Sequence, residues 1–180
     1  MWYFEMMRRK GQVWIETVIY TLIGIALIGL VLAILTPKIK EFRDRSVSEQ
    51  TIESLNVFDS KIIDVLDAPG NKRKVSMSLE RGLIFIDSSR NEIRYVLDEA
   101  NVLYSEPGVS LDVGRINILT NKNTDSYKIT LTINYIYNIT FDGKDKPVEQ
   151  FTPVSIPYDF YVENKGLVNN KIWIDITEES

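Results

Sequence analysis

"TVIYTLIGIALIGLVLAILT", residues 17–36, runs for twenty residues without a charge. As a helix rising about 1.5 Å per residue it spans about 30 Å, the thickness of a bilayer's hydrocarbon core. Leu22, Ile23, Ile25, Leu27, Ile28, Leu30, Val31, Leu32, Ile34 and Leu35 leave no polar face. A helix in a soluble core keeps such a face, so this stretch predicts a membrane-embedded segment. It divides the chain, because everything after it is polar and rich in strand-like alternation. The expected fold class is α+β. A long N-terminal helix, first transmembrane and then amphipathic, precedes an antiparallel β-sandwich or barrel-like domain.

The composition narrows the chemistry. The 180 residues include neither cysteine nor histidine, which removes disulfides, thiolate nucleophiles, imidazole bases and the commonest zinc ligands. The net charge is -4, and nothing resembles a basic nucleic-acid patch beyond two short clusters flanking the apolar run. That pattern argues against nucleic-acid binding. No pair of acids has a spacing that suggests catalysis, so no enzyme, cofactor or metal site is expected.

A secretory signal that is cut after its apolar region has about 7–15 apolar residues and a small-residue cleavage site. Here the run reaches Thr36 and meets "PKIKEFRDR" with no such site. Cations lie on both sides, with Arg8, Arg9 and Lys10 before the run and Lys38, Lys40, Arg43 and Arg45 after it. The positive-inside rule therefore does not orient the segment.

The N-terminal flank, "RRKGQVWIE" at residues 8–16, is more specific. A cation run, a glycine, a glutamate five residues on and an apolar helix together resemble the class III leader of archaeal type IV pilins and archaellins. The likeness covers roughly residues 8 to 40. It implies cleavage by a prepilin peptidase between Gly11 and Gln12, with Arg8, Arg9 and Lys10 as the recognised basic run. Glu16 would then be the fifth residue of the mature chain. The resemblance further implies a homo-oligomeric helical filament, assembled from the membrane by a pilus ATPase and a platform protein.

Physical chemistry gives Glu16 a role in such an assembly. A carboxylate near the end of a membrane helix costs about 2–3 kcal/mol or less, because it snorkels toward the interface. The new α-amino group at Gln12, with a pKa near 8, is mostly protonated. Paired across neighbouring helices, the two charges offset much of each other's desolvation and penalise wrong axial registers. The plainer alternative is a tolerated interfacial glutamate. Gly29 and Ala33, four residues apart, form a small-xxx-small pair that lets helix backbones approach. Trp14 and Tyr20 suit either the membrane interface or gaps between helices.

Pro37 is expected to kink or interrupt the helix. Beyond it Ile39, Phe42, Val47, Ile52, Leu55, Phe58, Ile62, Ile63 and Leu66 recur at helical spacing, up to the stop "APG" at residues 68–70. The upper half is expected to pack on the downstream domain. The lower half, with Lys40, Glu41, Arg43, Asp44 and Arg45, reads as a solvated stalk or, second, a charged subunit contact. The expected divisions are a leader at 1–11, a core helix at 12–36, a helical extension at 37–69 and a β domain at 70–180.

From residue 70 the period falls to two. "KVSMSLE", "GLIFIDS", "EIRYVLD", "NVLYS", "VSLDV" and "RINILT" are short strand candidates, and "SYKITLTINYIYNIT" is long enough for one bent strand or two. "DGKDK" reads as a hairpin turn and "SEPG" at 105–108 as another. "VENKGLVNNKIW" suggests a last hairpin turning near Gly166. Asp142 and Asp145 share their turn with Lys144 and Lys146, which favours a plain hairpin over a calcium loop. Tyr95, Tyr104, Tyr127, Tyr135, Tyr137, Tyr158 and Tyr161 read first as core or cross-strand partners and second as an adhesive face. "NIT" at 138–140 makes Asn138 a glycosylation acceptor if the domain is exported.

The expected function is that of a pilin-like structural subunit, in the cell membrane before assembly and in an extracellular surface filament afterwards. The alternative is a membrane-anchored adhesion protein or minor pilin.

Overall fold

The computed structural model describes residues 2–144 and 148–179, with side chains from Trp14 onward. It has an α+β layout: one long N-terminal helix, then ten strands in two sheets. The helix, α1, covers Trp2–Val65 and contains Pro37 without interruption. Proline deletes one backbone hydrogen bond, and the helix continues through the turns on either side. By contacts the chain forms two compact units, Met1–Lys40 and Glu41–Ser180. The upper helix therefore belongs with the sheets.

Burial within α1 begins abruptly. Val47, Ile52, Leu55, Phe58, Ile62 and Val65 are buried at the spacing of one helix face, and each stabilises the domain by about 1.5–3 kcal/mol. Ile39, Phe42 and Ile63, which share the apolar pattern, are exposed instead. After Val65 the chain turns through Pro69 and Gly70, whose φ of 85° suits glycine.

One sheet has the order β1 (Lys72–Met77), β9 (Tyr158–Val168), β10 (Lys171–Glu178), β7 (Asn138–Phe141). The other runs β4 (Ser110–Val113), β5 (Ile116–Lys122), β6 (Tyr127–Asn134), β3 (Glu92–Ala100), β2 (Leu83–Asp87), β8 (Glu149–Phe151). They do not close into a barrel. All pairings are antiparallel except β7 with β10, which is parallel. The expected antiparallel arrangement holds in every other pair. The long "SYKITLTINYIYNIT" segment is two strands, β6 and β7, in different sheets. The parallel pair follows because β7, entering from the other sheet, joins beside a strand that is not its sequence neighbour.

"NVLYS" is not a strand: Ala100 ends β3, and Val102 is buried from an irregular loop. The last hairpin turns at Asn169–Asn170 rather than near Gly166, both asparagines having positive φ, 51° and 64°. This is the geometry of a two-residue type I′ turn, which asparagine tolerates. Gly166 lies inside β9 at a bulge opposite Trp173, with φ 89°. Asp142 and Gly143 make a second tight turn between Phe141 and Lys144. Asp145 and Lys146 lie outside the described residues. "SEPG" is a turn, in which the Val109 amide donates to the Glu106 carbonyl.

Helix and sheets share one core. Phe58 of α1 meets Phe160 of β9 edge-on at 5.7 Å, and Phe151 of β8 meets Phe160 at 5.1 Å and Phe141 of β7 at 5.7 Å. Ile93, Tyr95 and Leu97 of β3 and Ile129, Leu131 and Ile133 of β6 complete it from the six-stranded sheet. Alternate residues point inward along β5, β6 and β9, as the period of two requires.

Candidate assembly helix and its anchorage

In residues 14–35 every large apolar side chain is exposed, from Trp14 at 71% through Ile28 at 61% to Leu35 at 47%. The segment is long and apolar enough to cross a membrane. Its polar groups suit that setting. The Thr21 hydroxyl donates to the Thr17 carbonyl at 2.8 Å and the Thr36 hydroxyl to the Leu32 carbonyl at 2.7 Å, so both are satisfied within the helix.

Glu16 is exposed near the start of this segment. Gly29 and Ala33 lie on the same helix, and a Cβ built at Gly24 or Gly29 meets nothing within 4 Å. Backbone can approach closely there. Trp14 and Tyr20 are both exposed. The side chains of Arg8, Arg9, Lys10, Gly11 and Gln12 lie outside the described residues.

Three polar anchors hold the upper part of α1 to the sheets. Asp44 is fully buried, which corrects its placement on a solvated stalk. Its carboxylate accepts from the Asn101 backbone amide at 2.7 Å and the Asn101 Nδ2 at 2.8 Å, and it forms an ion pair with Arg81. A buried carboxylate is tolerable only with such partners. Beside Arg81, Gly82 has φ 79° and lies so close to Tyr95 that a Cβ would come within 2.5 Å of its ring. Tyr95 donates its hydroxyl to the Arg81 carbonyl at 3.0 Å, and burial pushes that phenol up to about 12.

The second anchor is Asp59, 6% exposed, which pairs with Arg115 at 3.1 Å. Arg115 also stacks over the Tyr135 ring at 5.3 Å. Burial first, then the Asp59 charge, holds the Tyr135 phenol far above its ordinary value. The third is Asn164 of β9, also buried. Its Nδ2 donates to the Val65 carbonyl at 2.9 Å, capping the helix end, and its Oδ1 accepts from the Gly166 amide at 2.8 Å. Its backbone carbonyl accepts from Gly70 and its amide donates to Asn71.

In the sequence Asp44 reads as solvated, and Asp59 and Asn164 are not singled out. A signal existed for two: Asp44 and Asp59 fall on the same helical stripe as Val47, Leu55, Phe58 and Ile62. Asn164 carried none, since its partners lie up to 99 residues away.

The outer face of the four-stranded sheet carries an ionic network. Lys74 of β1 lies 2.9 Å from Asp159 and also contacts Glu179, while the Tyr161 hydroxyl donates to Glu179 at 2.8 Å. The hydrogen bonds to these two carboxylates hold the Lys74 ammonium well above its usual range. Asp159, bonded to Ser76 and then Lys74, and Glu179, bonded to Lys74 and Tyr161, are held below theirs. The tyrosines do not form one face: Tyr95 and Tyr135 are buried, whereas Tyr161 belongs to this outer network.

Asn138 opens β7 half-buried. The Thr140 hydroxyl of its sequon is buried and donates to Asp175 at 2.7 Å, and that carboxylate oxygen also accepts from the Gly143 amide.

No protein-family model, curated protein or solved structure matches this chain.

Proposed function

We propose that this chain is a pilin-like structural subunit of a cell-surface filament, built around its N-terminal helix after prepilin peptidase cleavage between Gly11 and Gln12. The observation that carries this reading is the exposure of every large apolar side chain from Trp14 to Leu35, directly behind the "RRKGQVWIE" junction. Such a surface needs lipid before assembly and neighbouring helices afterwards.

In this reading the β domain forms the exterior and contributes no reaction. Arg8, Arg9, Lys10 and Gly11 are removed or read by the peptidase. The Gln12 amine of one copy pairs with Glu16 of the next, and Gly29 and Ala33 let helices close together. A pilus ATPase and a membrane platform protein extract the subunit from lipid. An archaeal source fits the junction, and Asn138 is the glycan acceptor on the exported domain.

Mass spectrometry of the protein from its native membrane is expected to find Gln12 as the first residue, and electron microscopy to find filaments containing it. Gly11→Val is expected to block processing and hold the chain in the membrane. A mature form that retains Met1 sinks the proposal.

A further inference from the structure

The sheet of β1, β9, β10 and β7 carries opposite charges at opposite ends of its strands. The register places Lys72 opposite Glu163 and Met77 opposite Tyr158, while Lys171 faces Val168 and Glu178 faces Phe160. Lys165 and Lys171 therefore flank the Asn169–Asn170 turn, Lys165 also meeting Glu163 at 2.9 Å, while Lys72 and Arg73 sit midway along β9. Asp159, Glu178 and Glu179 gather at the other end, where Lys74 is their counterion. At ~3.3 Å per residue the eleven residues of β9 separate these ends by about 35 Å.

Each end also exposes apolar surface. Leu167 is 69% exposed beside the turn, with Val168 next to it. At the far end Val154 and Ile156, the latter 77% exposed, join Pro157 and Tyr158 around an open depression bordered by Asp159 and Glu179. The two ends match in kind and oppose in sign, and both belong to one chain.

We infer that the β9–β10 turn of one copy docks into the Val154–Pro157 depression of a second copy. Leu167 and Val168 meet Val154 and Ile156, while Lys165 and Lys171 face Asp159, Glu178 and Glu179. Turn against turn sets lysine against lysine, and depression against depression sets carboxylate against carboxylate; only the head-to-tail arrangement pairs opposite signs. A heterologous contact of this kind repeats without closing unless its rotation forms a ring. The inference rests on the filament reading and adds a polar, longitudinal contact between outer domains to the packing of helices.

The chain has no cysteine, so L167C and I156C each introduce the only thiol. The two full-length variants, co-expressed in the source cells and oxidised on the surface, are expected to give a mixed disulfide dimer. The pair I136C and I156C, with Ile136 equally exposed elsewhere, is expected to give none. As a check independent of thiols, E178K is expected to lower filament yield severalfold and K171E in the same chain to restore it. Normal filaments without the mixed dimer overturn this contact and leave the filament reading intact. Absence of filaments from cells making the unaltered chain overturns both.

Discussion

The helix α1 lives under two sets of rules. In residues 14–35 its large apolar side chains are all exposed and its threonine hydroxyls turn back on the helix itself. In residues 44–65 one face is buried, and two of the residues on it are aspartates held by arginines. The lower stretch meets its surroundings with hydrocarbon and no fixed geometry. The upper stretch meets the sheets through specific polar contacts, each of which has a single correct register. Apolar character alone therefore says little about which part of a helix is anchored. Burial of charge is the better marker, because a buried carboxylate without its partner is too costly to keep.

The largest expected effect tests that contrast directly. Phe58→Ala removes an aromatic side chain from the shared core and is expected to destabilise the β domain by about 3–5 kcal/mol. Leu27→Ala is expected to leave it within about 0.5 kcal/mol. Denaturant unfolding of the full chain in detergent, followed by near-ultraviolet circular dichroism, measures both. Equal effects would break the comparison.

The reverse contrast comes from charge. Leu27→Arg is expected to cost about 2.5–3.5 kcal/mol in membrane insertion, with no change in the unfolding midpoint of the β domain. A glycosylation-reporter insertion assay reads the first, and the same denaturant titration reads the second.

Asp44→Ala sharpens the comparison inside the anchored half. It strands the Asn101 donors and the Arg81 guanidinium, but Arg81 is 31% exposed and reaches water, so about 2 kcal/mol is expected. Amide hydrogen exchange is expected to rise around residues 44–51 first. Uniform exchange across α1 would contradict an anchor at this point.

The smallest effects concern pH. Burial raises the phenols of Tyr95 and Tyr135, so their contribution is complete below pH ~10 and declines above it, where the unfolded chain ionises and the folded one resists. Tyr135→Phe is expected to make the alkaline decline in urea midpoint shallower. At the acid end Asp159 and Glu179 are lowered, so their contribution is present above the ordinary carboxylate range and lost as pH falls through the lowered values. Lys74→Met is expected to flatten that limb slightly.

Much of this architecture was legible because it is local. An uncharged run, the "APG" stop, the Asp142–Gly143 turn and the alternation along β5 and β6 each depend on neighbours within a few residues. The misreadings are non-local. Asp44 looked solvated because its partner Asn101 is 57 residues away. Ile39 and Phe42 continue an apolar period although both are exposed. Gly166 drew the turn toward itself because glycine is the stronger turn signal. The bulge opposite Trp173 used that glycine, and the two asparagines took the turn. The helix places Glu16, Gly29 and Ala33 on exposed surface.

The sheet that receives β7 has a kinetic consequence. Its central strands, β9 and β10, come long after β1 in the chain, and β1 must wait for them at its edge. Lys74 finds Glu179 across 105 residues of chain. High contact order makes such closure slow. A chain emerging from a ribosome or a translocation pore therefore cannot complete this sheet until β10 is free. Until β9 emerges β1 stays unpaired, and the growing chain stays threadable.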